Sequence, residues 1–326
     1  MRAVVLREFG PPAELVAAEV ASPAPGPGQA LVEVEIANIT FVDTQLRAGR
    51  APNPAMAPTL PAILGSGVGG VVAAAGDGVD GSLISSRVVA STGRGGYAER
   101  VAVDAAALVP VPEGLGLSEA VALLADGRTA LSLIRAAPIR AGDTVLVPAA
   151  AGGVGSLLVQ LAAAAGARVV AAAGGGRKQE FVRDLGATKA VDYSQPDWAE
   201  RVRAETGGVD LAFDGVGGAI GLAAFELVRD GGRFSAFGMA SGAFVRIPQG
   251  EAERRGITVI RGAPITPEDS RALQRQALAD AVAGRLRPVI GQRFPLERAA
   301  DAHAAIEARV TIGKTLLVVR APRERS

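Results

Sequence analysis

The stretch TVLVPAAAGGVGSLLVQLAAAAGARVVAAAGGGRK, residues 144–178, decides the fold. It opens with the apolar, β-branched residues typical of a buried strand at 144–147, and a run of small residues leads into an apolar helix at 154–165. A second strand is predicted at 168–173, and a second helix begins at Arg177. This alternation predicts parallel strands joined by a helical crossover, the first unit of an α/β dinucleotide-binding domain.

The turn after the first of these strands reads Ala-Ala-Gly-Gly-Val-Gly, residues 150–155. Small residues let the backbone turn tightly and approach a pyrophosphate, while the helix that follows offers free amides and the positive end of its dipole. Ala150 stands where the first glycine of the dinucleotide fingerprint normally sits. The strand–turn–helix context favours a cofactor site over a purely structural glycine turn.

The second strand ends in Gly174-Gly175-Gly176-Arg177-Lys178. A site for NADH would place an Asp or Glu about 20 residues past the glycines, and no acid stands there. An open glycine turn followed by two cations suits the 2′-phosphate of NADPH. The alternative is a pair of solvated charges, which would oppose the helix dipole slightly. The composition favours NADPH.

The rest of the chain divides in two by pattern. Residues before about 118 contain strands and turns, including a loop with four prolines at 51–61 for which no regular structure is expected. Helices are predicted from Ser118, and strand–helix alternation runs from Thr144. The other predicted strands are 3–6, 30–36, 65–75, 87–90, 211–213, 233–237 and 315–319, and the other helices are 177–185, 220–228, 267–283 and 296–308.

Composition excludes several classes of function. The formal charge is +1 and there is no cysteine, so a broad nucleic-acid surface, disulfides and thiolate chemistry are not expected. The apolar stretch at 145–173 is broken by glycines, Gln160 and Arg168, which argues against a membrane span. MRAVVLREFG at the N-terminus lacks the features of a signal peptide, so a cytoplasmic protein is expected.

Together these segments resemble the zinc-free quinone oxidoreductases of the medium-chain dehydrogenase/reductase superfamily. The segments that carry the resemblance are AAAGGVG at 149–155, LVQLAAAAGARVV at 158–170, NITFVDTQLRAG at 38–49, LGSGVGGVV at 64–72, GYAE at 96–99, DGRTA at 126–130, FDGVGG at 213–218, GRF at 232–234 with FG at 237–238, AH at 302–303 and TIGK at 311–314. They occur in the order expected along almost the whole chain.

The resemblance implies an α/β protein with a GroES-like, β-rich catalytic domain and a Rossmann domain built on a doubly wound parallel sheet. The first would comprise 1–120, completed by 262–326, and the second 121–261. The active site would lie in the cleft between them. A homodimer formed through Rossmann edge strands is also implied.

Carried over residue by residue, the resemblance assigns a set of positions to NADPH. These cofactor positions are Phe41, Asp43, Thr129, Gly152, Gly153, Val154, Gly174, Lys178, Tyr193, Phe237, Gly238 and Arg309. Thr40, Phe41 and Asp43 would lie beside the nicotinamide. Tyr193 has packing alone as its alternative role.

Two departures concern the metal of the zinc-dependent relatives. Their metal-ligand histidine and the adjacent acid correspond to Ser66 and Gly67, and their N-terminal ligand to Thr40. With one histidine and no cysteine, the usual ligand sets for catalytic zinc are absent, so no metal site is expected. Zinc-free relatives often keep an acid at the Gly67 position and an amide at the Thr40 position, so these departures bear on substrate choice.

Reduction of a conjugated carbonyl requires that the substrate is positioned against the nicotinamide and receives a few hydrogen bonds. The resemblance implies Thr40, Tyr97 and Arg47 as the hydrogen-bond donors. Thr40 has local hydrogen bonding as its alternative. His303, the sole histidine, is expected to be a helix residue remote from the chemistry. Asp126 and Asp214 are expected to cap or brace turns, Asp214 near the cofactor cleft. The APRERS end at 321–326 is expected to be solvated.

The leading hypothesis is an NADPH-dependent reductase of a quinone or similar conjugated carbonyl. Reduction of enone or alkenal double bonds uses the same hydride geometry and stays open at this point. So does a third role in another class, a non-catalytic NADPH-binding regulator or scaffold. The expected partner is a small quinone or enone, with no nucleic acid and no membrane.

Overall fold

The computed structural model describes residues 1–262 and 265–320, so the APRERS end lies outside the described residues. The chain forms two compact units. One comprises Met1–Arg128 together with Pro267–Ser326, and the other comprises Thr129–Thr266. No helix in the described ranges is long and apolar enough to cross a bilayer.

Strands and helices are numbered here in chain order. The strands are β1 Arg2–Leu6, β2 Leu15–Glu19, β3 Gln29–Asn38, β4 Ala62–Ile63, β5 Gly67–Ala75, β6 Arg87–Ser91, β7 Arg100–Asp104, β8 Leu108–Pro110, β9 Thr144–Pro148, β10 Arg168–Ala172, β11 Lys189–Val191, β12 Val209–Asp214, β13 Val228–Ala236, β14 Thr258–Arg261, β15 Ile290–Pro295 and β16 Lys314–Val318. The helices are α1 Phe41–Arg47, α2 Leu117–Ala136, α3 Gly153–Ala164, α4 Gly176–Asp184, α5 Trp198–Thr206, α6 Gly218–Glu226, α7 Glu251–Arg254, α8 Pro267–Val282 and α9 Ala299–Glu307.

The first unit is built on two sheets. A three-stranded antiparallel sheet has the order β2-β1-β4. A seven-stranded sheet has the order β15-β16-β3-β5-β6-β8, with β7 also pairing β3. Its pairs are antiparallel except β15 with β16. Alternate residues of β3, including Val32 and Val34, are fully buried in the core.

The second unit is a six-stranded parallel sheet with the order β11-β10-β9-β12-β13-β14. Its order reverses at β9, because β10 lies on one side of that strand and β12 on the other. All five residues of β9 are buried, as expected for a central parallel strand covered on both faces. Ligands of such sheets bind beyond the carboxyl ends of the strands at this reversal.

The predicted fold class is confirmed: a GroES-like sheet unit is combined with a parallel-sheet Rossmann unit. The expectation of no regular structure at 51–61 was wrong in one detail. Pro54–Met56 forms a single 3-10 turn, because Asn53 caps it by accepting a hydrogen bond from the amide of Ala55 at 3.0 Å. The helix predicted at 296–308 is also divided, since Leu296–Arg298 is a 3-10 turn that leads into α9.

Candidate functional site

The turn between β9 and α3 has the form of an anion cradle. Gly152 is the N-cap of α3 and supplies no side-chain cap, so the amides of the first helical turn have no capping side chain. At Gly155, a Cβ would lie 2.4 Å from the carbonyl oxygen of Ala149, so only glycine lets the helix pack this closely on the turn. Free amides at the start of a helix suit a bound phosphate group.

The sharpest backbone feature of this turn lies at Ala149. Its φ is 51°, in the left-handed region that alanine adopts at a cost of about 1–2 kcal/mol. The next residue, Ala150, stands at the first-glycine position and donates its amide to the carbonyl of Ala172 at 3.1 Å. The chain therefore reverses one residue before the position at which the fingerprint has its first glycine.

The turn between β10 and α4 is open and carries a carboxylate. Added Cβ atoms at Gly175 or Gly176 would meet no atom within 4 Å. The amide of Gly175 donates to Oδ2 of Asp192 at 3.0 Å, and Oδ1 of Asp192 accepts from the hydroxyl of Ser194 at 2.6 Å. These hydrogen bonds, that of the Ser194 hydroxyl foremost, lower the pKa of Asp192.

Asp192 was missed by sequence reasoning, which looked for an acid only at the end of the second strand. One signal was available: Asp192 directly follows β11, a short strand in the part of the chain where strands and helices alternate. Because the carboxyl ends of parallel strands meet at one edge of the sheet, an acid after β11 reaches the turn that follows β10.

The same edge of the parallel sheet gathers most of the predicted cofactor residues. They follow the carboxyl ends of β9 (Gly152, Gly153, Val154), β10 (Gly174, Lys178), β11 (Tyr193) and β13 (Phe237, Gly238). Lys178 is half-buried in the first turn of α4, and its neighbour Arg177 is exposed. Thr129, in α2, is half-buried.

Asp214 braces the neighbouring turn after β12. Its Oδ1 accepts from the amides of Val216 and Gly217, both at 2.9 Å. Burial raises the pKa of Asp214 and these hydrogen bonds oppose the shift. The amides of Phe237 and Gly238 both donate to the carbonyl oxygen of Asp214, which fixes the two loops against each other.

In the first unit, Thr40 and Asp43 close a reciprocal capping box at the start of α1. Oδ2 of Asp43 accepts from both the amide and the hydroxyl of Thr40 at 2.7 Å, and the amide of Asp43 donates back to the Thr40 hydroxyl at 3.3 Å. The motif satisfies amides that the helix start would otherwise leave unpaired. Burial raises the pKa of Asp43, against the effect of these bonds and of nearby Lys314.

Tyr97 and Arg47 face partners inside this unit. Tyr97 is fully buried, and its hydroxyl lies 3.0 Å from Nε2 of His303, which is fully buried too. Arg47 is 1% exposed and its guanidinium contacts Glu307 and the carbonyl of Gly10. Because both side chains are buried and paired within the unit, Tyr97 and Arg47 are better placed to stabilise the fold than to contact a substrate.

Arg309 and Phe41 lie together at the start of α1. The guanidinium carbon of Arg309 is 5.0 Å from the centre of the Phe41 ring, within the range of a cation–π interaction. Arg309 also has a left-handed backbone, with φ 58°.

Two further polar groups are buried near these elements. Nζ of Lys314 lies 3.0 Å from Oδ1 of Asp126, and both side chains are nearly inaccessible. Asn38, at the end of β3, is 1% exposed, and neither atom of its amide group has a hydrogen-bond partner in the described residues. A Cβ added to Gly67 would lie 3.0 Å from Nδ2 of Asn38, so the two residues are in close contact.

Across residues 1–262 and 265–320, no three His, Asp or Glu side chains are grouped so that they could hold a metal ion. Independence from zinc stays a prediction, which a chelator tests.

Comparison with known proteins places this arrangement in a class. A family model described as "Alcohol dehydrogenase GroES-like domain" matches residues 26–113, and one described as "Zinc-binding dehydrogenase" matches 153–275. Both halves of a medium-chain dehydrogenase/reductase are therefore present in the expected order.

Individual relatives narrow the class. The chain is 34% identical to a probable quinone oxidoreductase of Schizosaccharomyces pombe, over 97% of this chain and 96% of that one. It is 33% identical to a 2-haloacrylate reductase of a Burkholderia species, over 98% and 99%. The structure of Escherichia coli quinone oxidoreductase complexed with NADPH superposes with a TM-score of 0.90 at 28% identity, covering 98% of this chain and all of that one. The chain belongs to the quinone oxidoreductase-type, zinc-free family of this superfamily and is an oxidoreductase.

Proposed function

We propose that this protein transfers a hydride from NADPH to a quinone or a similar conjugated carbonyl compound. One observation carries the proposal: the glycine cradle, Lys178, Tyr193 and the loop after β13 share the carboxyl edge of one parallel sheet. That edge is where a dinucleotide binds in this fold. A relative of the same fold, from Escherichia coli, is complexed with NADPH.

The residues present fit this cofactor. The uncapped start of α3 would hold the pyrophosphate, with Gly152, Gly153 and Val154 against it. The open turn at Gly175 and Gly176 leaves room for a 2′-phosphate next to Gly174, and Lys178 would bind it. Tyr193 would pack on the adenosine. Thr129, Phe237, Gly238 and Arg309 complete the proposed cofactor set, with Phe41 and Asp43 toward the nicotinamide.

When bound, NADPH supplies the hydride, and the protein positions the acceptor and excludes water. Of the three proposed positioning residues, Thr40 is half-buried, whereas Tyr97 and Arg47 are buried. The bond to Asp43 orients the Thr40 hydroxyl, whose oxygen already accepts from the amide of Asp43. Tyr97 and Arg47 act behind it, through His303 and Glu307, by holding β1, α1 and α9 together.

The test is NADPH oxidation against a panel of para- and ortho-quinones, with NADH as the cofactor control. Turnover with quinones and a clear preference for NADPH is the expected result. A chelator is expected to leave the rate unchanged, because the proposed hydride transfer needs no metal. A protein that binds NADPH but reduces no acceptor in a panel that includes enones would contradict the proposal.

Reduction of a carbon–carbon double bond conjugated to a carbonyl is the second candidate. The observation that favours it is the 33% identity, along nearly the full length, to a 2-haloacrylate reductase. Enones added to the same panel separate the two, since turnover with enones alone would select the double-bond reductase.

We also propose a cytoplasmic homodimer with domain boundaries near 120 and 261. The sheet of the second unit has two edges, β11 and β14. Strand β14 is the better candidate, because its four residues, Thr258–Arg261, are partly or fully exposed and would add to a second copy of the sheet. Light scattering should show a dimer that Ile260→Arg dissociates, whereas Ala190→Arg on β11 leaves it intact. A dimer that survives both changes would rule out the edge-strand interface.

A further inference from the structure

We propose that Asp192 is a positioning residue of the cofactor site, which holds the turn before α4 in the shape that the 2′-phosphate of NADPH requires. The inference rests on the proposed binding of that phosphate by Lys178 and adds the residue that orients this part of the site. It begins from a carboxylate that links two loops at the carboxyl edge of the parallel sheet.

Packing does not hold the turn at 174–176 in one shape. Its three glycines bring no side chains, and glycine loses more backbone freedom on folding than any other residue. A Cβ added at Gly175 or Gly176 would meet no atom within 4 Å, and one added at Gly174 would meet only Oδ1 of Asp192, at 3.9 Å. The shape of the turn therefore depends on its hydrogen bonds.

Asp192 accepts a hydrogen bond from the residue at which α4 begins. Its Oδ2 accepts from the amide of Gly175 at 3.0 Å, across 17 residues of sequence. Gly175 is the N-cap of α4, with φ 81° and ψ 153°, and its carbonyl oxygen accepts from the amides of Lys178 and Gln179, both at 3.2 Å. Because Asp192 holds the N-cap, it also orients the first helical turn, which carries Lys178.

The carboxylate of Asp192 is itself fixed by Ser194. Oδ1 accepts from the amide of Ser194 at 2.9 Å and from its hydroxyl at 2.6 Å. These two bonds close a local turn around Tyr193, the proposed adenosine contact. One carboxylate therefore joins the loop of Tyr193 to the turn that precedes Lys178, so that the two residues proposed for the adenosine end keep a fixed geometry.

A second Asp-x-Ser turn, at Asp80, shows how Asp192 differs. The amide of Ser82 donates to Oδ1 of Asp80 at 2.9 Å and its hydroxyl donates to Oδ2 at 2.7 Å, so both oxygens serve the local turn. At Asp192 both local bonds converge on Oδ1, which leaves Oδ2 for Gly175.

The hydrogen bonds of Asp192 also separate its role from that of the acid in an NADH site. A carboxylate has about four acceptor positions, and donors of the protein occupy three of them at Asp192. In an NADH site the acid is instead available to the 2′-hydroxyl of the ribose. Asp192 is therefore committed to the turn.

The negative charge of Asp192 would by itself repel a phosphate. The hydrogen bonds, that of the Ser194 hydroxyl foremost, and the positive charge of Arg201 lower the pKa of Asp192, so the carboxylate stays ionised. The same donors and Arg201 offset its charge. We expect the hydrogen bond to Gly175 to outweigh the remaining repulsion, and a variant that removes the charge alone tests this.

The experiment measures the dissociation constants of NADPH and NADH by isothermal titration. Asp192→Ala should weaken NADPH about 10-fold, because a hydrogen bond to a charged group is lost, and NADH no more than about threefold, because NADH has no 2′-phosphate. Asp192→Asn should recover part of the loss, since its single oxygen accepts from Gly175 or from Ser194 but does not replace both carboxylate oxygens. The control Asp80→Ala removes the same kind of local turn from the first unit and should bind both cofactors as the wild type does.

Two further measurements separate positioning from general support of the fold. In a Lys178→Ala background, Asp192→Ala should change the dissociation constant of NADPH by no more than about twofold, because both changes disrupt the same contact with the phosphate. Amide hydrogen exchange of the cofactor-free protein should be faster in Asp192→Ala across 174–178 and unchanged in β9 and α3.

Three results would overturn the inference. These are tighter binding of NADPH by either Asp192 variant, equal weakening of NADPH and NADH, and losses that add fully to those of Lys178→Ala. A wild type that binds NADPH no more tightly than NADH would instead overturn the proposed 2′-phosphate site. A wild type that binds NADPH and reduces no acceptor would overturn the proposed function and leave the role of Asp192 standing.

Discussion

Lys178 occupies the first turn of α4, where a helix disfavours cations, and this placement is explained if a phosphate binds there. Lys178→Glu should weaken NADPH about 10- to 100-fold, because a charge-assisted hydrogen bond contributes about 1.5–3 kcal/mol. NADH, which lacks the 2′-phosphate, should change by no more than about twofold on the same reasoning. Isothermal titration with both cofactors measures the difference.

The matched control for Lys178 is Lys189→Glu. Lys189 is exposed at the start of β11 and pairs with Glu205 at 3.3 Å, so its reversal leaves the proposed site untouched. If NADPH and NADH weaken together in Lys178→Glu, the assignment of Lys178 to the 2′-phosphate fails.

Asn38 is one of only two asparagines, and its buried amide group lacks partners in the described residues. An unsatisfied buried polar group costs about 1–3 kcal/mol, so Asn38→Leu, of similar size, should raise the free energy of unfolding by about 1 kcal/mol. Urea denaturation measures it. The comparison Asn53→Leu, which removes the cap of the exposed turn at 54–56, should instead lower the free energy of unfolding by about 1 kcal/mol. A clear loss of stability in Asn38→Leu would show that the amide group is bonded in solution.

The sequence predicted the residue types of the cofactor edge well and their contacts poorly. The glycines and Lys178 are recognisable because phosphate binding demands small residues and charge within a few positions. Asp192 and the partners of Tyr97 come from distant segments, so no local pattern predicts them. The capping box of Thr40 with Asp43 has a local signal, a spacing of three residues, but local hydrogen bonding was predicted only as an alternative role of Thr40.

At the scale of elements, the turn before α3 depends on the absence of a side chain at Gly155. Gly155→Ala would place a Cβ 2.4 Å from a backbone oxygen, so α3 must move away from the turn. Because the amides at the start of α3 would then lose their alignment, NADPH should bind at least about 10-fold more weakly, a change of about 1.4 kcal/mol. Fluorescence titration measures this.

Gly81→Ala serves as the control, because Gly81 has open space around it and an ordinary φ. It should bind NADPH as the wild type does. If Gly155→Ala binds NADPH as tightly as the wild type, then the position of α3 does not determine the affinity for NADPH.

Elements with a strong apolar pattern were predicted within one or two residues, as β9, β10, α3 and α8 show. Strand β13 is an exception, because the predicted helix at 220–228 takes in its first residue and the predicted strand begins only at 233. The residues between, 229–232, are polar or glycine and partly or fully exposed, so they carry no strand pattern. Strands β2 and β15 are mostly half-buried or exposed, so neither has the alternation of apolar and polar residues that would predict a strand. Their strand conformation comes from pairing with β1 and β16, which is tertiary information.

For the molecule as a whole, one histidine dominates the response to mild acid. His303 is the sole histidine of the chain. Burial, with a contribution from nearby Arg47, lowers its pKa to about 3. Tyr97 lies against its ring edge to face, and Arg47 is itself paired with Glu307. The folded protein therefore keeps His303 neutral where the unfolded chain, with a pKa near 6.5, binds a proton.

The sign of the effect follows from this difference in proton uptake. Stability rises with pH wherever the unfolded state binds more protons, so the contribution of His303 is complete above pH 6.5 and is lost as the pH falls from 6.5 toward 3. Between pH 7 and pH 5 the loss is about 2 kcal/mol. The raised pKa values of Asp43 and Asp214 act in the opposite direction, since their contributions are lost as the pH rises above 3.8.

The variant His303→Gln isolates the histidine, because it leaves both acids in place and offers Tyr97 an amide partner. Urea unfolding of the wild type should show a fall of about 2 kcal/mol in the free energy of unfolding between pH 7 and pH 5 from this histidine. In the variant, the fall over the same range should be about 2 kcal/mol smaller. Gln lacks the ring that packs against Tyr97, so the variant should be less stable at pH 7, and the two proteins should converge at pH 5. Parallel curves would mean that His303 is already protonated in the folded state, with its charge balanced by Glu307 in place of Arg47. In that case the hydroxyl of Tyr97 would accept a hydrogen bond from an imidazolium and could not donate to the ring.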